Sequence, residues 1–103
     1  MLLATILAAL LSAFQVGWWP WDDLAWCESR QTWDIDTGNG YRGGLQMDTT
    51  FWRVHGGLDF AARPNWATRE QQILVAINGR DGLIGYAQGY AAWPACSRIL
   101  GLR

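Results

Sequence analysis

The chain has a single histidine and two widely separated cysteines, so it lacks the clustered ligand set of a zinc or haem site. It is also poor in net charge. At −1 overall, with its arginines scattered singly, it offers no electrostatic footprint for nucleic acid or an anionic membrane surface. No internal repeat or low-complexity tract is present. The glycines of residues 37–44 lack the spacing of a phosphate-binding loop and no lysine follows them, which leaves turn geometry as their role. Ser29 lies in no nucleophile elbow, so nothing supports a triad drawn from Ser29, His55 and an aspartate. His55 precedes Gly56-Gly57 and reads as a cap at a helix C-terminus. Neither a metal nor an organic cofactor is expected.

What is present is apolar and aromatic. Half of the 103 residues are hydrophobic, which predicts one folded domain rather than a disordered chain. Residues 1–19, MLLATILAALLSAFQVGWW, carry no charge and separate from the rest by composition. They read as a signal peptide, although no basic residue precedes the apolar run Leu2 to Leu11. They read equally as a membrane anchor with Trp18, Trp19 and Trp21 as an interfacial belt. The expected division is an export segment or membrane tether at 1–20 and a folded domain at 21–103, in a secreted or cell-surface protein. Export permits a disulfide, and Cys27 and Cys96 fit neither a metal knuckle nor a redox CxxC pair. They are expected to be bridged, since a domain of about 80 residues needs a staple.

Pro20 followed by WDDLAWCES predicts a helix with Asp22 and Asp23 in its first turn and Glu28 near its end, on the face of Leu24. Trp33, Ile35 and Thr37 alternate before Asn39-Gly40, a two-stranded ribbon or irregular loop at 33–42. A short helix from near Met47 should stop at Gly56-Gly57. A longer one should start at the capping box of Thr68 and Gln71 and run to Asn78-Gly79. NGRDG at 78–82 reads as a turn, Leu83 toward Tyr90 as a last helical piece, and Pro94 brings the chain to Cys96. The fold class expected is α+β, mainly α, with a small β-hairpin and one disulfide.

The chemistry left open is that of a carboxylate among aromatic surfaces. Of eight tryptophans, Trp26, Trp33, Trp52, Trp66 and Trp93 belong to the folded part, more than so small a core absorbs. Some should line a groove, where flat apolar faces with polar rims suit sugar rings. Glu28, taken alone, reads as a solvated helix residue. Against indole it would lose solvation of its charged form, titrate upward and keep a proton to give to a glycosidic oxygen.

The run WDDLAWCESRQTWDIDTGNGYRGGLQM, followed by FWRVHGG, ATREQQI and WPAC, resembles the catalytic domain of the resuscitation-promoting factors over about residues 21 to 103. The pair ES and GLQ is similar to the signature of lytic transglycosylases. The resemblance implies a monomeric, lysozyme-like domain acting on peptidoglycan glycan strands. It implies that Glu28 is the acid that protonates the β-1,4 bond between N-acetylmuramic acid and N-acetylglucosamine, and that Thr37, Tyr41, Gln46, Trp52 and Gln88 are substrate-binding. It also implies the Cys27–Cys96 disulfide. The chain departs from the pattern in having Phe51 where family members often have threonine and about five extra residues within 77–87. It also has Asp36 in place of asparagine, a candidate second carboxylate. Lytic transglycosylase and lysozyme-like hydrolase both fit. The alternative from another class is a non-catalytic peptidoglycan-binding or signalling module on the same fold.

Overall fold

The structure is a computed structural model and describes residues 18–103. The expected export segment lies outside the described residues except for its last three positions. Those three belong to the folded unit: Trp18 is buried in the core, its carbonyl accepts the Trp21 N–H at 2.8 Å, and Arg69 lies over its ring at 4.8 Å. Trp21 is buried as well. The fold therefore reaches back past the expected boundary, and these two indoles serve the core, not a membrane belt. Among the described residues no helix is long and apolar enough to cross a membrane.

Helix α1 spans Trp21–Ser29, with Asp22 and Asp23 at its N-terminus, where the helix dipole favours acids. It ends because Arg30 and Gln31 both take left-handed backbone angles (φ 58° each), and the Gln31 N–H returns to the Ala25 carbonyl at 3.0 Å. Its buried face, Trp21, Leu24 and Ala25, packs toward helix α4 (Pro94–Ile99), with the Trp21 and Trp93 rings edge-on at 5.4 Å. Cys27 and Cys96 are bridged, with Cα atoms 5.8 Å apart. Helix α2 (Thr49–Val54) begins at Asp48, whose carboxylate accepts the Phe51 N–H at 2.7 Å, and ends at His55, the C-cap expected of it. Two 3-10 turns, Gly57–Asp59 and Pro64–Trp66, lead to helix α3 (Arg69–Asp81), which opens on the Thr68–Gln71 capping box.

The segment 33–47 is an irregular loop, with β structure limited to the antiparallel bridges Asp36↔Arg42 and Arg42↔Met47. What holds it is Gln72, fully buried on α3. Its Oε1 accepts the Gly44 N–H at 2.9 Å, and its Nε2 donates to the carbonyls of Trp33 at 2.8 Å and Ala67 at 3.0 Å. An apolar core of Trp21, Leu24, Leu45, Trp52, Ile73, Val75 and Trp93 lies beneath.

Two expectations fail after α3. NGRD continues the helix, and the left-handed stop falls at Gly82 (φ 70°). Gly79 serves packing instead of a turn, because a Cβ there would strike the rings of Phe51 and His55. Asn78 reaches across to donate to the His55 carbonyl at 3.0 Å. Residues 83–90 form no helix: Gly82, Gly85 and Gly89 all have positive φ, and the loop folds back on α3 through Gln88 N–H to the Gly79 carbonyl at 2.8 Å.

Candidate active site

A cleft of about 350 Å³ opens between two stretches of chain, 41–51 and 86–94. Tyr41, Gln46, Thr50 and Phe51 line it from one side and Tyr86, Gln88, Trp93 and Pro94 from the other. Trp93 ties the sides together, since its indole N–H donates to the Leu45 carbonyl at 2.7 Å. Three of the residues expected from the sequence, Tyr41, Gln46 and Gln88, meet here. Thr37 stands next to them: its hydroxyl donates to the Tyr41 carbonyl at 2.7 Å, approaches Gln46 Oε1 at 3.4 Å and contacts Asn39 Oδ1. Gln46 is held by its own amide on the Gly43 carbonyl at 3.0 Å and has a left-handed backbone (φ 52°), a conformation that costs a non-glycine residue on the order of 1 kcal/mol.

Glu28 does not itself line this cleft, but both its neighbours are fastened to chain within two residues of lining positions. Cys27 is bonded to Cys96, two residues past Pro94, and the Ser29 hydroxyl donates to the Gly44 carbonyl at 2.8 Å, two residues before Gln46. The Glu28 carboxyl is half-buried and makes no hydrogen bond or ion pair among the described residues. Burial alone raises its pKa above the ordinary carboxylate value, because the charged form loses water and gains no partner.

Asp36 is the opposite case. It is exposed, and its pKa is lowered first by the Gly38 N–H at 3.0 Å, then by Arg42 at 3.2 Å, with Arg63 further off at 3.9 Å. Its two oxygens are engaged in holding the 36–42 turn. Trp52 is fully buried with its indole N–H on the Ala61 carbonyl at 2.8 Å, so it presents no face to the cleft. Trp26 and Trp66 are exposed but lie outside the cleft, stacked by Arg30 at 5.1 Å and Arg63 at 4.9 Å. The aromatic lining instead comes from Tyr41, Phe51, Tyr86 and Trp93. Tyr86 also lines the cleft, and no spacing in the sequence marks it; Thr50, the threonine one position before Phe51, lines it as well. Among the described residues no group of acids, histidines or cysteines could hold a metal.

A family model for a transglycosylase-like domain matches residues 18–96. The chain is 50% identical over 99 residues to resuscitation-promoting factor Rpf1 of Corynebacterium glutamicum, covering 96% of this chain and 48% of that protein. Resuscitation-promoting factor RpfB of Mycolicibacterium smegmatis is 46% identical over 83 residues, 81% of this chain and 22% of that one. For resuscitation-promoting factor Rpf of Micrococcus luteus the identity is 45% over 82 residues, 80% and 33% of the two chains. The chain thus spans half or less of the length of these relatives. The mainly helical architecture, the sparse β structure and the single disulfide are those expected of a lysozyme-like domain of this kind.

Proposed function

The chain belongs to the transglycosylase-like domain family, and from that premise we propose that it is a peptidoglycan-cleaving glycosidase with Glu28 as its one general acid and base. The observation that carries this reading is the unpartnered, half-buried carboxyl of Glu28 between two residues fastened to chain that adjoins the cleft. With its pKa raised by desolvation, Glu28 is suited to give a proton to the oxygen of the β-1,4 bond between N-acetylmuramic acid and N-acetylglucosamine. The carboxylate so formed takes a proton from the hydroxyl that attacks the sugar. When that hydroxyl belongs to the muramic acid, the product is a 1,6-anhydro sugar and no second acid is needed. The engagement of Asp36 by Gly38 and Arg42 favours this single-acid, lytic transglycosylase route over hydrolysis.

Tyr41, Gln46 and Gln88 would contact the glycan strand, with Thr37 bracing Gln46. Trp52 is not included, being sealed in the core. The apolar, uncharged residues 1–19 support an exported protein that meets its substrate outside the cytoplasm. Incubation of the purified chain with cell wall tests the reading. Soluble muropeptides are expected. Sedimentation of the protein with the wall, without release, would identify a binding module instead.

A further inference from the structure

The single histidine of the chain is fully buried, and both its ring nitrogens are spoken for. Nδ1 lies 2.7 Å from the Ile84 carbonyl oxygen, and Nε2 lies 2.7 Å from the amide of Gln88, which lines the cleft. The ring is clamped in place by Phe51, with centroids 4.4 Å apart, and by Tyr86 at 5.5 Å. A carbonyl oxygen only accepts, so Nδ1 must carry a hydrogen. With Gln88 Oε1 placed against Nε2, the ring would need a second proton, making a cation in the core with no carboxylate on either nitrogen. Turning the Gln88 amide through 180° changes its shape hardly at all and removes the difficulty: its NH2 then donates to a bare Nε2.

We propose that His55 is a positioning residue, held by the Ile84 carbonyl as the Nδ1–H tautomer, that draws in the NH2 of Gln88 and so turns the Gln88 oxygen to the cleft. Gln88 thereby offers a fixed acceptor, matched to a sugar hydroxyl or an acetamido N–H. The inference rests on the cleft being the glycan site, but its first test needs no glycan.

Because the histidine is single, its ring nitrogens are identified without ambiguity in long-range 15N–1H NMR spectra of the whole chain near neutral pH. The expected pattern is one protonated nitrogen, Nδ1, and one bare nitrogen, Nε2. An Nε2–H tautomer, a doubly protonated ring or a rapidly averaged mixture would overturn the proposal, whatever the activity. The second test is kinetic. His55→Phe keeps a ring of similar size against Phe51 and Tyr86 but frees the Gln88 amide, so KM on glycan strands should rise roughly fivefold, the loss of one net hydrogen bond, with kcat little changed. The double variant His55→Phe/Gln88→Ala should be no worse than Gln88→Ala. Additive losses would assign His55 a merely structural role and overturn the proposal. A wild-type chain that shows the Nδ1–H pattern yet releases no muropeptides would sink the proposed activity and leave the tautomer standing.

Discussion

Replacing Gln72 by leucine tests how the cleft is held together. The side chains are similar in volume, so little cavity is made, but three backbone groups lose their partner: the buried Gly44 N–H and the part-buried carbonyls of Trp33 and Ala67. At about 1 kcal/mol for the buried N–H and up to as much for each part-buried carbonyl, the loss is about 1–3 kcal/mol. For a domain of this size that corresponds to a fall in Tm of about 4–24 °C. The damage should also reach the site. Gly44 receives Gln72 on its N–H and the Ser29 hydroxyl on its carbonyl, so loosening Gly44 loosens the residue beside Glu28. Thermal unfolding followed by near-UV circular dichroism gives the stability, and amide hydrogen exchange at Gly44 gives the local effect. A Tm within about 3 °C of wild type, with Gly44 still protected, would refute the assignment of Gln72 as the pin of the 33–47 loop.

Reduction of the Cys27–Cys96 bridge should cost about 4 kcal/mol in the chain-entropy model, because the loop it closes is long. Tm and muropeptide release should fall together, and an unchanged melting curve with and without reductant would contradict this. Gly79→Ala puts a methyl group into the rings of Phe51 and His55 and should destabilise by about 1–3 kcal/mol, measured by urea unfolding. For Glu28 the sign follows from its raised pKa. The folded state keeps a proton that the unfolded state releases, so wild type loses stability as pH rises from the unfolded value through the folded one. Glu28→Gln escapes that loss, and its Tm advantage over wild type should be larger at pH 7 than below pH 4.

The helices were legible where local chemistry decides them. Asp22 and Asp23 at the start of α1, and Thr68 with Gln71 at the start of α3, act within one turn of chain, and both starts stand as read. Gly79 was misread because a glycine signals a turn only when its backbone needs a positive φ; here the need is space for Phe51, a residue 28 positions away in sequence. The same limit explains Gln72. Nothing near it in sequence indicates that its amide will meet Gly44 and Trp33. Tyr41, Gln46 and Gln88 are singled out by resemblance to a family, and the structure gathers them around one cleft. Trp52 was misplaced because indole serves a core as readily as a groove, and the Ala61 carbonyl gives its N–H a partner inside. Asp36 stands in sequence only as a candidate second carboxylate; its partners Gly38 and Arg42 are set by the fold of the 36–42 turn and are not legible from its spacing to Glu28.

The central claim is that one carboxyl, Glu28, does both proton transfers. Mass spectrometry of the muropeptides released by wild type, Asp36→Asn and Glu28→Gln tests it directly. The account predicts 1,6-anhydro products from wild type and from Asp36→Asn, and a loss of orders of magnitude in Glu28→Gln with cell-wall binding retained. Reducing-end products together with an inactive Asp36→Asn would contradict the single-acid route, and an active Glu28→Gln would contradict the enzyme itself.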